Sequence, residues 1–272
     1  MKKIIIKQGI VPLFVLFLFG NCSKVELVDN EYPESKVYMS QAAVVKHNGY
    51  RYYTLDGNKN NSPVNYKIEN NRMLIPVGLI RSGINLSGNI AVNIIAKTDT
   101  VSALISQNRF DLPTALLPAE AYRIPPSTQI KSGETNSKFD LDIDLDFLIN
   151  SLVKTPDQQY AVALSISTDD NGVNNELATT VFVLNPNTLL TPVADFYSWV
   201  DKDTDGNPLA HFTNLSSNAA SYAWDFGDGS APVSEVSTKH RYAKGSYTVT
   251  LTVKSYDARI PDAVKKVTVD IN

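Results

Sequence analysis

Residues 221–253 limit the possible folds of this chain more than any other stretch. They read SYAWDFGDGSAPVSEVSTKHRYAKGSYTVTLTV, with two segments of alternating apolar and polar residues and a Gly-Asp-Gly turn after the first. Tyr222, Trp224 and Phe226 share one face of the first segment, and residues 247–253 alternate without a break. A period of two bounded by turn residues is typical of antiparallel strands that bury one face. The stretch therefore predicts an antiparallel β-sandwich.

The amino-terminal half of the chain shows the same periodicity. Short apolar runs alternate with Asn- and Gly-rich turns, and apolar residues alternate with aspartates from Lys138 to Phe147. We expect this segment to be one strand with a solvated acidic face, since a single ion could touch no more than two of its carboxylates. A chain of 272 residues has room for two cores. The expected fold is all-β, with two tandem antiparallel, immunoglobulin-like β-sandwich domains over residues 35–186 and 192–272. Residues 187–191 read as a short, stiff linker.

The amino terminus has the layout of an export signal. Residues 1–21 combine a basic start, an apolar run and a polar end, and the apolar run is about half as long as the ~20 residues of a spanning helix. The segment LFGNC resembles the lipobox of bacterial lipoproteins, although Asn21 stands where a small residue is usual. The resemblance implies that Cys22 is lipidated and that residues 22–34 form a tether from the membrane. An incidental cysteine in an ordinary signal peptide is the alternative.

Charge and motif content argue against several classes of function. Without the three leader lysines the chain has 22 basic and 28 acidic side chains, a formal charge of −6, which disfavours a nucleic-acid partner. Apart from Cys22, the chain has only three histidines as candidate zinc ligands, His47, His211 and His240, and they do not occur at any usual zinc spacing. Neither a Gly-x-Ser-x-Gly motif nor a phosphate-binding loop occurs. We therefore expect no enzyme activity, with a hydrolase as the least favoured reading.

The second domain resembles a known family. PVADF, HFTNLSSNAASYAWDFGDGS and HRYAKGSYTVTLTV are similar to a polycystic-kidney-disease (PKD) domain, an immunoglobulin-like sandwich. Trp224 and Phe226 are large enough to fill a core, and Gly227 and Gly229 permit a positive φ in the turn. We interpret His240 as structural. The matching motif residues are Trp224, Asp225, Phe226, Gly227, Asp228, Gly229, His240, Tyr242, Gly245 and Tyr247. The resemblance implies protein or glycan contacts, or a spacer role.

The first domain carries a second resemblance. LLPAEAYRIPPSTQIKSGETNSKFDLDIDLDFL, followed by YAVALSIST, resembles the N-terminal β-sandwich domain of unknown function found in surface lipoproteins of the Bacteroidetes. Such proteins are usually encoded with outer-membrane glycan-uptake systems. The resemblance implies an outer-membrane lipoprotein, exposed at the cell surface, that binds or presents a polysaccharide. The alternative is a structural spacer or adhesion protein with a protein partner.

Two sets of residues are candidate binding sites. Asp201, Asp203 and Asp205 precede Gly206, as at the start of a calcium loop, but Phe212 occupies the twelfth position, so a full EF-hand is ruled out. An Asp-rich hairpin turn is the alternative to a calcium site. No other cofactor is expected.

The second set is aromatic. Tyr50, Tyr52 and Tyr53 form a cluster that could stack on a glycan, and packing in the core is the alternative.

Overall fold

A computed structural model describes residues 34–44, 52–59, 65–169 and 172–272. Residues 34–272 form one compact unit. Residues 1–21, Cys22 and Tyr50 lie outside the described residues, so the signal, lipidation and Tyr50 expectations stay predictions. Within the described ranges, no helix is long and apolar enough to cross a membrane.

The described chain is mostly β-structure, which confirms the predicted fold class. The strands of the first sandwich are β1 (Val37–Met39), β2 (Tyr52–Thr54), β3 (Lys67–Glu69), β4 (Arg72–Arg81), β5 (Ile90–Ala96), β6 (Thr114–Leu116), β7 (Tyr122–Arg123), β8 (Ser127–Ile130), β9 (Asn136–Asp144), β10 (Gln159–Ser167) and β11 (Thr179–Leu184). Those of the second are β12 (Phe196–Lys202), β13 (Pro208–Asn214), β14 (Ser221–Asp225), β15 (Thr238–Arg241), β16 (Gly245–Lys254) and β17 (Ala263–Ile271). The helices are α1 (Ser40–Val44), α2 (Thr98–Ser106), α3 (Leu145–Lys154) and α4 (Pro186–Leu190).

Each sandwich consists of two sheets. In the first, one sheet has the order β1-β4-β9-β7 with β3 also on β4, and the other has the order β2-β11-β10-β5-β8 with β6 also on β10. In the second, the sheets are β12-β13-β15 and β14-β16-β17. Most pairs are antiparallel, whereas β6 on β10 and β2 on β11 are parallel. These two parallel pairs were not expected from the sequence.

Alternation along the central strands builds the first core. In β4, every second residue is buried, and Met73, Ile75, Val77 and Leu79 are each at most 1% exposed. They face Phe139, Leu141 and Ile143 of the adjacent strand β9 in the same core cluster. A period of two places all of these side chains on one side of the sheet.

The strand predicted from Lys138 to Phe147 is too long. Strand β9 ends at Asp144, whose Oδ1 accepts a 3.0 Å hydrogen bond from the backbone N–H of Phe147 and caps α3. The following apolar residues then fit a helical period, since Leu145, Leu148 and Ile149 are buried.

The acidic face of β9 is also less solvated than expected. Arg72 Nε lies 2.6 Å from Asp142 Oδ1, and Arg72 Nη1 lies 3.2 Å from Asp144 Oδ2. These two aspartates therefore serve as partners of an arginine on the neighbouring strand.

The segment predicted as a linker is a buried helical turn. Pro186 is at the start of α4, and the side chain of Asn185 accepts a hydrogen bond from the backbone N–H of Thr188. Leu189 and Leu190 are fully buried in the core of the first sandwich. The two sandwiches are thus connected by a packed turn.

A second contact joins the sandwiches through the loop between β16 and β17. Ile260 in this loop is 4% exposed and belongs to the core cluster of the first sandwich, and Tyr256 packs against the same cluster. Arg259 donates to Asp146 and Asn150 of α3. The second sandwich is therefore held by this loop as well as by the covalent turn, and both pack into the same core cluster.

Asn218 reinforces the junction at α4. Its Nδ2 donates to the carbonyl oxygens of Thr188 and Thr191, at 2.8 and 2.9 Å, and its backbone N–H donates to the carbonyl of Asn58. Tyr66 donates its hydroxyl proton to the carbonyl of Leu189. Both sandwiches and the connecting turn share this network.

Candidate ligand-binding surface

Three aromatic rings stand in line on the outer face of the sheet β12-β13-β15. We call Tyr197, Trp199 and His211 the aromatic strip. The Tyr197 and Trp199 ring centroids are 5.5 Å apart at an interplanar angle of 23°, and the Trp199 and His211 centroids are 4.7 Å apart at 6°. Tyr197 is 51% exposed and Trp199 is 43% exposed. Two of the largest side chains of the chain are therefore open to solvent side by side.

The strip follows from the alternation and register of two strands. Phe196 at the start of β12 is buried in the second core, so Tyr197, Trp199 and Asp201 face outward. Strand β13 pairs with β12 so that His211 lies opposite Trp199. Side chains of directly opposed residues stand close enough to interact, which explains the stacked rings.

The outer face continues across the third strand. In β15, Lys239 pairs with His211, and Arg241 pairs with Leu209. Two adjoining depressions of about 300 and about 660 Å³ occupy this face. The smaller is lined by Trp199, His211, Thr213, Glu235 and Lys239, among others. The larger is lined by Asp201, Lys202, Asp203, His211, Lys239 and Arg241, among others.

Two of the predicted calcium ligands, Asp201 and Asp203, have partners within the protein. Asp203 Oδ1 accepts hydrogen bonds from the backbone N–H groups of Asp205 and Asn207, both at 2.9 Å, and its Oδ2 lies 2.7 Å from Arg241 Nε. Asp201 Oδ1 lies 2.9 Å from His211 Nε2. The described residues contain no group of three His, Cys, Asp or Glu side chains placed to hold a metal ion. Asp201, Asp203 and Asp205 therefore do not converge, and Asp203 organises the hairpin turn.

The carboxylate of Asp203 is strongly held. The hydrogen bond from Asn207 N–H is the main reason that the pKa of Asp203 lies below its usual value, with Asp205 N–H and Arg241 contributing. Its side chain is only 5% exposed. Asp203 thus remains ionised, and its charge attracts the neighbouring guanidinium of Arg241.

Two of the three tyrosines predicted as a glycan platform are packed instead. Tyr52 is 7% exposed, with its ring centroid 5.5 Å from that of Phe110. Tyr53 meets Phe182 edge to face, with centroids 5.8 Å apart. Burial raises the pKa of both tyrosine hydroxyls. The structure therefore gives Tyr52 and Tyr53 a packing role.

The aromatic residues of the PKD-like motif are internal. Trp224 is fully buried and donates its indole N–H to the carbonyl of Glu235 at 3.0 Å. Tyr242 donates its hydroxyl proton to the carbonyl of Phe226 and stacks on Tyr247, with centroids 4.4 Å apart. None of these rings contributes to the outer face of β12-β13-β15.

The turn of the motif is held by its own polar residues. Asp225 Oδ1 accepts from Gly227 N–H at 2.9 Å, and a Cβ on Gly227 would lie 2.4 Å from the carbonyl oxygen of Thr248, so only glycine fits. Gly229 has φ of 84°, and Gly245 has φ of 159°. The φ of Gly229 is in the left-handed region that favours glycine.

His240 joins this turn to β15. Its Nε2 lies 2.7 Å from Asp228 Oδ2, and its ring stacks on Phe226 with centroids 4.0 Å apart. The hydroxyl of Ser230, followed by His240, lowers the pKa of Asp228 far below its usual value. Asp228 and His240 thus have partners that stabilise the fold.

Sequence reasoning did not single out Tyr197 and Trp199. The run VADFYSWV predicts a strand, yet it places aromatic residues on both faces, so the sequence does not show which face is buried. Phe196 decides the orientation, because it packs edge to face on Trp224 with centroids 5.1 Å apart. That contact spans strands that are distant in sequence.

Comparison with known proteins identifies both domains. A family model for the PKD domain matches residues 191–270, and a family model for an N-terminal domain matches residues 33–173. No curated protein sequence matches the chain significantly.

The chain is similar to solved structures from three bacterial species. The PKD1 domain of the Vibrio cholerae metalloprotease PrtV is 33% identical, over 30% of this chain and 99% of that domain, with a TM-score of 0.26. An auxiliary nutrient-binding protein from Bacteroides thetaiotaomicron is 14% identical over 74% of this chain and 84% of its own, with a TM-score of 0.34. A Bacteroides ovatus protein of unknown function is 11% identical over 87% of this chain and 94% of its own, with a TM-score of 0.38.

The match to the N-terminal domain spans just over half of the 272 residues. The chain therefore belongs to the family defined by that N-terminal domain and carries a PKD domain as its second sandwich.

Proposed function

We propose that this protein is a non-enzymatic accessory protein of a glycan-acquisition system and that it binds polysaccharide on the aromatic strip. The observation that carries the proposal is the exposure of Tyr197 and Trp199, stacked in line with His211. Large aromatic side chains usually lie in cores, and an exposed group of them marks an interaction surface.

The chemistry of the surface suits a sugar polymer. The C–H groups on one side of a pyranose ring form an apolar face that packs on aromatic rings, while its hydroxyl groups need hydrogen-bonding partners. Asp201, Thr213 and Lys239 supply such partners around the strip. The depressions are shallow and cross an open sheet face, so a long chain could pass over them.

We further propose that residues 1–21 direct export and that Cys22 is lipidated, which anchors the protein in the outer membrane. The resemblance of LFGNC to a lipobox supports this part. Replacing Cys22 by alanine should move the protein from the membrane fraction to the soluble fraction of cells. An unchanged membrane fraction would contradict the lipid anchor.

Native affinity electrophoresis of the purified protein tests the glycan proposal directly. In gels that contain one polysaccharide each, at least one glycan should retard the protein. Trp199→Ala should weaken that binding about tenfold, because central aromatic contacts each contribute more than about 1 kcal/mol. Val264→Ala, at a 55% exposed position of β17 in the opposite sheet, is the matched control and should bind as the unchanged protein does.

Other outcomes would point to the alternatives. Trp, Tyr and Arg are also enriched in protein interfaces, so a protein partner could use the same surface. Absence of retardation across a broad panel, with a partner recovered by cross-linking at the strip, would favour an adhesion or spacer role. Release of reducing sugar from a retarding glycan would contradict the absence of enzyme activity.

A further inference from the structure

The outer face of the sheet β12-β13-β15 extends beyond the aromatic strip. Before β12 begins and after β13 ends, Val193 pairs with Ser217 in the same register that places Tyr197 opposite Thr213. The backbone N–H of Val193 donates to the carbonyl of Ser217 at 3.1 Å, and the reverse bond measures 3.0 Å. Because side chains alternate along a strand, Val193 lies on the same face as Tyr197 and Trp199. At about 3.3 Å per residue, this face continues for roughly 20 Å from Trp199 to Val193.

The continuation is apolar and open to solvent. Val193 is 53% exposed and Leu215 is 41% exposed, which is similar to the exposure of Tyr197 and Trp199. Leu215 keeps the register of the two strands, since its backbone N–H donates to the carbonyl of Asp195 at 2.8 Å. Four large apolar side chains are therefore exposed in one row that follows the strand direction. A contiguous row of this kind marks an interaction surface, and its shape suits an elongated ligand.

A pocket of about 440 Å³ lies at the end of this row, between the two sandwiches. We call it the junction pocket. Val193 and Ser217 of the second sandwich line it, together with Asn187 and Thr188 of α4 and Asp56 of the β2–β3 loop, among others. Its volume is within the range of small-molecule sites, about 300–1,000 Å³, and such sites often occur between domains. A ligand in the junction pocket would contact both sandwiches.

The junction pocket has unused hydrogen-bonding capacity. Within the described parts of the chain, the carboxylate of Asp56 and the hydroxyl groups of Thr188 and Ser217 have no hydrogen-bond partner. A carboxylate accepts hydrogen bonds, whereas a Ser or Thr hydroxyl both donates and accepts them. A sugar hydroxyl also donates and accepts, so these three groups can bond to a single sugar unit.

Charges along this face balance. Among the described residues, the junction pocket is lined by one acid, Asp56, and one base, Lys59. In the row between the pocket and the strip, Asp195 pairs with Lys265. The two depressions at the strip are lined by three acids and three Lys or Arg side chains, namely Asp201, Asp203, Glu235, Lys202, Lys239 and Arg241. Since neither sign is in excess, the face favours a neutral ligand over a charged one.

We propose that the junction pocket is a second subsite of the glycan-binding surface, and that a neutral polysaccharide lies along the strands from the aromatic strip, over Val193, into this pocket. This inference rests on the proposed glycan-binding function and specifies the class and the length of the ligand. One sugar unit packs on the strip, and another, roughly 20 Å away, bonds to Asp56, Thr188 and Ser217.

The length of the ligand is the first test. Affinity gels contain hydroxyethyl cellulose, galactomannan, arabinoxylan or laminarin as neutral polymers, and polygalacturonate or dextran sulfate as acidic ones. We expect a neutral polymer to retard the protein. Its oligosaccharides, from dimer to octamer, are then titrated by calorimetry. A trimer is too short to reach both subsites, so affinity should increase about tenfold from trimer to hexamer and change little beyond.

Variants locate the second subsite. Asp56→Ala should weaken hexamer binding about fivefold and leave trimer binding unchanged, and Ser217→Ala should act in the same direction. Trp199→Ala should weaken binding of both oligosaccharides. Asp270→Ala removes an exposed acid of β17, on the opposite sheet, and is the matched control that should bind as the unchanged protein does.

The possible results distinguish this inference from the function on which it rests. Equal affinity from trimer to octamer, with loss in Trp199→Ala, would overturn the second subsite and leave glycan binding intact. Equal effects of Asp56→Ala and Asp270→Ala on hexamer binding would overturn the role of the junction pocket. Retardation by the acidic polymers alone would overturn the neutral ligand. Absence of retardation by any polymer would overturn both proposals.

Discussion

Ile260 offers the sharpest test of how the two sandwiches are joined. It lies in the loop between β16 and β17 of the second sandwich, but it is buried in the core of the first. Shortening it to alanine removes three side-chain carbons from that core. Because the residue belongs to one sandwich by sequence and to the other by packing, its loss should weaken the junction itself.

The size of the effect follows from burial. At about 0.8 kcal/mol per buried methylene, the three carbons contribute about 2.5 kcal/mol, and a residual cavity adds to this value. The ion pair of Arg259 with Asp146 is a smaller contribution, about 1 kcal/mol or less, because both side chains are substantially exposed. In a unit of this size, 2.5 kcal/mol corresponds to a decrease in Tm of about 5–10 °C.

Scanning calorimetry of the purified protein measures this decrease. We expect one cooperative transition for the unchanged protein, a lower Tm for Ile260→Ala, and two separate transitions for Ile260→Asp, which buries a charge at the junction. Val264→Ala, an exposed change on the adjacent strand, serves as the control. A Tm for Ile260→Ala within about 1 °C of that control would refute the reasoning.

Three further predictions concern individual side chains. Asn218→Ala removes two hydrogen bonds to carbonyls and places alanine at a φ of 55°. The free energy of unfolding, measured in urea, should therefore fall by about 2–4 kcal/mol, and Asn218→Gly should fall by less because glycine accepts this φ. Arg81→Met should lower the free energy of unfolding by about 3 kcal/mol, because the buried guanidinium of Arg81 donates to four carbonyls of residues 85–88. A decrease of less than about 1 kcal/mol would contradict this role. The lowered pKa of Asp228 makes it stabilising above the unfolded value of about 3.9, and this contribution is lost as the pH falls below about 4. Asp228→Asn should thus lower Tm at neutral pH and flatten its decline in acid, whereas parallel Tm profiles would count against the pair with His240.

The sequence predicts those parts of the fold that depend on local periodicity. The alternation in β16 and the Gly-Asp-Gly turn each depend on neighbouring residues, and they indicate a sandwich without further information. Helix α3 is different, because the Asp-Leu alternation continues through Leu145 and fits either a strand or a first helical turn. The cap formed by Asp144 decides between them.

Tertiary contacts decide the rest. The Asn-Pro pair at the start of α4 is typical of a loop, and only contact with the first core makes Leu189 and Leu190 internal. The orientation of the aromatic strip also depends on a tertiary contact. FYSW has aromatic residues on both faces of the strand, and only the packing of Phe196 on Trp224 turns Tyr197 and Trp199 outward. A local pattern does not contain that information.

The burial of Ile260 in the first core has a mechanical consequence for the second sandwich. A covalent connector alone would allow this sandwich to swing when a polymer on its outer face is pulled. Because the Ile260 loop packs beside α4 in the same core, a pulling force is shared between a covalent turn and a buried side chain. The junction should therefore resist bending until the Ile260 side chain leaves the core. Until then, a force applied to a polymer on the second sandwich is transmitted to the first sandwich.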